Sequence, residues 1–302
     1  MYDIIGDIHG ETDKLVLLLK GLGYERKDGA FFHPERKAVF VGDFINRGPK
    51  IGQTIEIIRS MTENGTALAI LGNHELNAIF YYLKNDLGKY YIRRKKYRLS
   101  LDQTLKEFAD RKDELKSHLQ WMRSLPLFLD LGDIRVVHAC WKDENIEILK
   151  NHFTEGRLKK NKLREIFEDN TAVAKSVWET CKGVDFHLPK DLLVFDSSGR
   201  PHRAFRTKWW MNPEGLTFRG ISLESRFKLP KYTIPKEIIT PVEPYPEDAP
   251  IVFFGHYCLN SKSGIMGNNL CCVDSCVSRS RKLMAYRWSG EKVLDENHIV
   301  KA

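Results

Sequence analysis

Five short apolar runs in this chain stop at a side chain able to bind a metal ion, and in four of them a glycine comes just before it. Tyr2-Asp3-Ile4-Ile5 runs into Gly6-Asp7-Ile8-His9-Gly10, and Ala38-Val39-Phe40-Val41 runs into Gly42-Asp43-Phe44-Ile45-Asn46-Arg47-Gly48. Residues 66–71 lead to Gly72-Asn73-His74-Glu75, Arg135-Val136-Val137 ends at His138, and Ile251-Val252-Phe253-Phe254 leads to Gly255-His256. Runs rich in β-branched and aromatic residues read as buried strands. Open α/β sheets take their ligands just beyond the carboxyl ends of such strands. One aspartate or histidine after a glycine is ordinary turn chemistry. Five in one chain point to a shared destination, a metal site.

The segments between these runs are helical. Leu15, Leu18, Leu19 and Leu22 recur at helical spacing over 11–23, where Gly23 can stop the helix, and Ile51, Ile55 and Ile58 share a face over 51–61. A third helix is expected from near Glu75. Three strand–helix units in succession predict a largely parallel sheet covered on both faces. A charged helical insertion is expected over about 84–125, ended by Pro126, then a hairpin of 127–131 and 134–137 across Gly132-Asp133. Residues 142–152, 157–169 and 171–181 look helical, and six prolines between 230 and 250 predict an extended connection. We expect one domain over 1–302, with about 142–250 as an inserted cap-like region, and late strands near 268–274 and 283–288.

Apolar residues make up 42% of the 302, ample for a core, and no window nears the roughly 18 unbroken apolar residues of a membrane span. A strand at the amino terminus leaves no room for a signal peptide. The six cysteines form no Cys-x-x-Cys pair and are read as reduced thiols of a cytoplasmic protein, with Cys271 and Cys272 as buried small hydrophobes. A net charge of +8 favours anionic partners: polyphosphates, nucleotides or nucleic acid. The densest basic run, 93–98, is either a solvated face or an anion site. His202-Arg203-Ala204-Phe205-Arg206-Thr207-Lys208-Trp209-Trp210 interleaves cations with aromatics, as a nucleobase platform or as packing for an inserted subdomain.

The ordered set Gly-Asp-Ile-His-Gly, Gly-Asp-Phe-Ile-Asn-Arg-Gly, Gly-Asn-His-Glu, His, Gly-His resembles the calcineurin-like metallophosphoesterases. Within them it is most similar to the branch of Ser/Thr phosphoprotein phosphatases and diadenosine tetraphosphate hydrolases. The resemblance covers about 1–80 and islands near 134–140 and 251–288. It implies an α/β sandwich of two sheets flanked by helices. It also implies two adjacent divalent ions, Asp7 and His9 holding the first, Asn73, His138 and His256 the second, and Asp43 bridging them. Oxygen and nitrogen donors without thiolates suit manganese, iron or zinc, and manganese is the first expectation. Such ions would turn a shared water into hydroxide near neutral pH and polarise the phosphoryl group. Arg47 carries a fork that matches two phosphate oxygens, so it is cast as the substrate clamp beside Asn73 and His74. The resemblance assigns His74 to general acid.

The chain departs from the family at Asn46, where the protein phosphatases carry a carboxylate that supports this histidine. Without that anion an imidazolium is less favoured. Leaving groups that need no proton suffer least, which favours dinucleoside polyphosphates or related nucleotides over phosphoproteins. Arg47-Gly48-Pro49 also looks like the dinucleoside-polyphosphate branch, although Glu75 stands where that branch often has aspartate, and Ser275 follows Asp274 where Thr-Gly is usual. The expectation is a metal-dependent hydrolase of phosphoanhydride or phosphomonoester bonds. The alternatives are a protein or nucleic-acid-end phosphatase, or a nucleic-acid-binding module on an inactive core. Oligomeric state is not legible in the sequence.

Overall fold

The computed structural model describes residues 1–84, 87–90, 95–158, 162–166, 171–196, 198–223, 227–239, 243–259, 263–279 and 281–302, with backbone alone over 95–97. The chain divides into two compact units, 1–181 with 250–302, and 182–249.

The larger unit opens with β1 (Tyr2–Ile5), α1 (Thr12–Gly21), the hairpin β2 (Glu25–Lys27) and β3 (Ala30–Phe32), β4 (Lys37–Phe40), α2 (Ile51–Glu63), β5 (Ala67–Ala69) and α3 (Asn73–Tyr82). The insertion follows as α4 (Lys95–Ser100), α5 (Asp102–Glu107) and α6 (Lys112–Met122), then β6 (Phe128–Asp130), β7 (Ile134–Val137), α7 (Asp143–His152) and α8 (Ala172–Lys182). The smaller unit holds β8 (Asp185–His187), β9 (Val194–Asp196), β10 (Pro201–His202), β11 (Ala204–Arg206), α9 (Phe218–Ile221) and β12 (Phe227–Lys228). The chain returns through β13 (Ile251–Phe254), β14 (Ile265–Gly267), β15 (Leu270–Cys272), β16 (Met284–Trp288) and β17 (Ile299–Lys301).

Two five-stranded sheets form the larger unit, in the orders β17-β16-β1-β4-β5 and β14-β15-β13-β7-β6. Their shared core takes alternate residues of each strand: Ile4, Val39, Val41, Met284 and Tyr286 from one sheet, Ile134, Val136, Ile251, Phe253 and Cys271 from the other. That period of two is what a sheet with one face turned to a core requires. The expected two-sheet sandwich is therefore present.

Register decides where the loops lie. In the parallel ladder β1-β4-β5, Ile5 pairs with Phe40 and Phe40 with Ala69, so the loops bearing Asp7, Asp43 and Asn73 leave from one edge. In the second sheet Val137 pairs with Phe254, which brings out His138 and His256 together. The hairpin expected across Gly132-Asp133 is β6–β7, with Leu129 opposite Val136.

Several expectations change. The inserted region does not begin at 142, because α7 and α8 as far as Cys181 belong to the larger unit. Residues 162–166 form turns rather than part of a helix over 157–169, and the rest of that segment lies partly outside the described residues. In the basic run 93–98, residues 93 and 94 and the side chains of 95–97 likewise lie outside them.

The aromatics of 202–210 do not form a presented platform: Phe205, Trp209 and Trp210 are buried. Phe205 joins Phe186, Val194, Phe218, Ile221 and Ile234 in the smaller unit's own core. His202 bonds Asp196 at 3.0 Å and stacks edge-on to Phe227, while Arg203 donates to the Lys190 carbonyl.

The cysteine expectation is also corrected. Cys258 and Cys276 form a disulfide, with Cα atoms 4.6 Å apart, while Cys140, Cys181, Cys271 and Cys272 are buried thiols. The cause is strand register. Phe254 and Cys272 are partners in the parallel pair β13–β15, and each bonded cysteine lies four residues beyond the end of its own strand. The cytoplasmic expectation rested in part on reduced thiols and loses that support. Among the described residues no helix is long and apolar enough to cross a membrane.

Candidate metal centre

All six residues expected to bind metal lie in the larger unit, and all are buried or nearly so. Two groups of three converge, with their ligand atoms within 4.8 Å of one another: His9, Asp43 and His74 in one, Asp43, His138 and His256 in the other. Asp43 is common to both. Its Oδ1 stands 3.3 Å from His138 Nε2, and its Oδ2 stands 3.7 Å from His9 Nε2 and 3.9 Å from His74 Nε2. Asn73 belongs with the second group, its Oδ1 3.1 Å from His138 Nε2 and 2.7 Å from His256 Nδ1. Asp7 is in neither group of three, and both its carboxylate oxygens accept from the His256 amide at 3.2 Å. His74, expected as the general acid and a substrate contact, completes the group of three with His9 and Asp43.

The loops hold backbone shapes that side chains resist. His9, Asp43, Asn46, Arg47 and His256 all adopt left-handed φ, between 49° and 70°. Such residues cost about 1–3 kcal/mol each and persist where their surroundings over-determine them. Here the surroundings are hydrogen bonds. The Asp43 carbonyl accepts from the amides of Ile8 and His9, and the His9 carbonyl accepts from Gly48. Glu75, fully buried, accepts from the amides of Asp43 (2.8 Å), Phe44 (2.9 Å), Ile45 (3.2 Å) and Gly72 (3.0 Å). The glycines before the ligands answer to close approach. A Cβ at Gly72 would lie 2.3 Å from Asp43 Oδ1, and one at Gly255 would lie 2.1 Å from Asp7 Oδ1.

The electrostatics suit bound cations. Burial pushes the Asp7 carboxyl well above the usual carboxylate range, and the nearby Asp274 and Asp43 carboxylates push it further. Burial raises Asp274 too. Burial holds His9 down at about 3, so its ring is neutral and keeps a lone pair for a metal. Burial would lower His138 as well, but the Asp43 carboxylate and then Asp7 carry it up to about 10. Burial also opposes ionisation of Asp43, yet His138 and His74 outweigh it and hold the carboxyl well below its usual range. A buried cluster of carboxylates with neutral or proton-balanced imidazoles is the environment divalent cations stabilise.

The residues expected to face phosphate lie beside His74. Arg47 is exposed, with Nη2 3.3 Å from His74 Nε2 and Nη1 3.5 Å from Ser278 Oγ. On the far side of the ring, Asn46 Nδ2 lies 2.6 Å from His74 Nδ1. Sequence reasoning did not assign Glu75, Asp274 or Thr104 to the site. Glu75 was findable as a carboxylate in the first turn of a helix, and Asp274 as one more acid after an apolar run. No local signal marks Thr104.

Comparison with known proteins identifies the family. The family model described as calcineurin-like phosphoesterase matches residues 2–275. The asymmetrical bis(5'-nucleosyl)-tetraphosphatase PrpE of Bacillus velezensis is 37% identical over 153 residues, 48% of this chain and 58% of its own. A symmetrical bis(5'-nucleosyl)-tetraphosphatase of Marinomonas is 30% identical over 184 residues, 58% of each chain. The chain thus spans 58% of the length of each of these relatives. Among solved structures, a serine/threonine phosphatase of Saccharomyces cerevisiae shares the fold with a TM-score of 0.51 at 14% identity, over 100% of this chain and 78% of its own. A cold-active protein-tyrosine phosphatase of Shewanella does so with a TM-score of 0.51 at 16% identity, over 95% of this chain and 75% of its own. With its two sheets, its shared Asp43 and a family match over nearly its whole length, the chain belongs to the calcineurin-like phosphoesterases.

Proposed function

We propose that this chain is a metal-dependent phosphoesterase that hydrolyses dinucleoside polyphosphates or related nucleotides. The observation that carries the reading is Asp43: one buried carboxylate presents an oxygen to each of two histidine groups. Asp7, His9 and Asp43 would hold one divalent ion, and Asp43, Asn73, His138 and His256 the other, with manganese the proposed metal. Ions bound there would polarise the phosphoryl group and lower the pKa of water beside it.

The chain's own residues supply the rest. The Arg47 guanidinium binds phosphoryl oxygens at the rim. His74 Nε2 stands beside it and donates to the oxygen of the departing group. Behind the ring, Asn46 offers an amide where a carboxylate would stabilise an imidazolium, so the site favours departing groups that leave as stable anions. A nucleoside phosphate released from a phosphoanhydride is such a group; a serine alkoxide is not. The tetraphosphatase names of the two relatives fit the same preference.

The test is a manganese-loaded panel of diadenosine tetraphosphate, a phosphopeptide, and 5'- and 3'-phosphorylated oligonucleotides. Turnover fastest on the dinucleotide is the expected result. Turnover of the phosphopeptide or an oligonucleotide alone overturns the substrate assignment. Tight, salt-sensitive nucleic-acid binding with no turnover overturns the enzyme reading.

A further inference from the structure

The one disulfide among the described residues joins two loops of the candidate site. Cys258 follows His256 by two residues on the loop after β13, and Cys276 follows Asp274 by two residues on the loop after β15. Asp274 is buried between them, and its carboxylate accepts from the Cys258 amide at 2.6 Å and from the Cys276 amide at 2.8 Å. Past Cys276 the chain makes a turn of 3-10 helix, Val277–Arg279. There the Val277 carbonyl accepts from Lys14 Nζ at 3.0 Å, and Ser278 Oγ lies 3.5 Å from Arg47 Nη1. The sulfur bond thus has His256 just before one end and a neighbour of Arg47 just after the other.

Both cysteines hold left-handed backbone, φ 50° at Cys258 and 61° at Cys276, as His256 does at 70°. A side chain resists that region and stays in it where its surroundings over-determine it. Two ties meet here, the Asp274 carboxylate and the sulfur–sulfur bond. Opening the bond leaves the carboxylate alone between the two amides, and the left-handed residues gain routes to ordinary backbone. A loop that spends time in other shapes presents His256 to a cation for only a fraction of the time. The apparent affinity falls by that fraction.

We propose that the Cys258–Cys276 bond is a redox latch on the metal centre: closed, it holds His256 ready for a cation, and opened by a dithiol reductant, it weakens metal binding. Cys258 is half-buried and Cys276 buried, so the attacking thiolate meets the Cys258 sulfur and Cys276 leaves as a thiolate. The second thiol of the reductant then attacks the mixed disulfide and Cys258 leaves. The reductant becomes a disulfide, and its two protons end on the two cysteines.

This rests on the metal reading of the site, so the test includes an arm without metal. The full chain is reduced with a phosphine, which takes oxygen from water to become its oxide and is removed before measurement. Thiol titration of the denatured protein should find four thiols before treatment and all six after it. Manganese affinity, measured by calorimetry, should be about tenfold weaker in the reduced protein. In the metal-free protein, hydrogen exchange should quicken over 255–259 and 275–279 and hold steady over β1 and β4. Cys258→Ser should match the reduced protein and ignore the phosphine. Met61→Ala, a cavity at the far end of α2, should lower the melting temperature and keep wild-type manganese affinity.

Six thiols before treatment overturn the proposal, and so does equal manganese affinity in the two states. A Cys258→Ser protein that still responds to the phosphine overturns it as well. An equal loss of affinity in Met61→Ala does the same, by making the effect one of general loosening. If Cys258→Ser does not fold, reoxidation of the reduced wild type serves instead: affinity should return, and affinity that stays low overturns the proposal. Absence of manganese binding in both states would sink the metal reading, and the exchange arm would still report whether the bond holds the two loops.

Discussion

The site loops of the larger unit and the unit of 182–249 are built from opposite materials. In the loops, carboxylates, imidazoles and an amide are buried together, and five of their residues hold left-handed backbone. In the smaller unit the buried groups are mainly phenylalanine, leucine, isoleucine and valine, and Arg203 donates to a backbone carbonyl. Burying polar groups costs free energy unless they are paired. The loops meet that cost through Glu75 and the crossed backbone bonds, and the result is a place where cations are favoured. The smaller unit incurs little of it. A dense cation–aromatic pattern in the sequence turned out to be a core, while scattered single polar residues turned out to converge in two buried groups. Local density of interesting residues is thus a poorer guide than their position at strand ends.

Three experiments test this contrast. Asp43→Asn removes the one carboxylate that both histidine groups share, and should lower manganese-dependent turnover by about 10³-fold or more. Circular dichroism should be unchanged, since an amide fits the same space; turnover near wild type would dissolve the shared-ligand idea. Phe205→Ala empties the heart of the other core, where Phe205 is fully buried, and should destabilise that unit by about 3–5 kcal/mol. Tryptophan fluorescence from Trp209 and Trp210 would follow it, while manganese affinity, measured by calorimetry, should hold. A parallel loss of metal affinity would show that the two units are not independent in this respect.

The third effect is smaller. Reducing the Cys258–Cys276 bond reopens a loop closed across a sequence separation of 18 and should cost about 3 kcal/mol of stability in the larger unit alone. Thermal melts with and without a strong reductant would show it. No shift, or a shift confined to the fluorescence of the smaller unit, would contradict the placement of that bond.

Much of the larger unit is legible in the chain. The strand runs before Asp7, Asp43, Asn73, His138 and His256 are uniform apolar stretches, and a buried strand admits little else. The family pattern implied that Asp43 is shared, and the fold places it in both histidine groups. The insertion's boundary was not legible, because α7 and α8 carry the same charged amphipathic pattern whichever unit they pack on. The disulfide was hidden for a related reason: Cys258 and Cys276 are neighbours only through the parallel register of β13 with β15. Thr104, whose hydroxyl donates to Asn46 Oδ1, lay further out of sight, since a threonine inside a short charged helix carries no mark of its partner.

The chain alone made legible the strand runs before the candidate ligands, the family and the metal-capable side chains, because these are local properties of a sequence. The tertiary structure alone decided which donors share a neighbour, which aromatics are interior, which thiols meet, and that Thr104 stands behind Asn46. Those are matters of register and packing between segments far apart in the chain, where hydrogen-bond geometry and the avoidance of unpaired buried charge choose among arrangements the sequence leaves open.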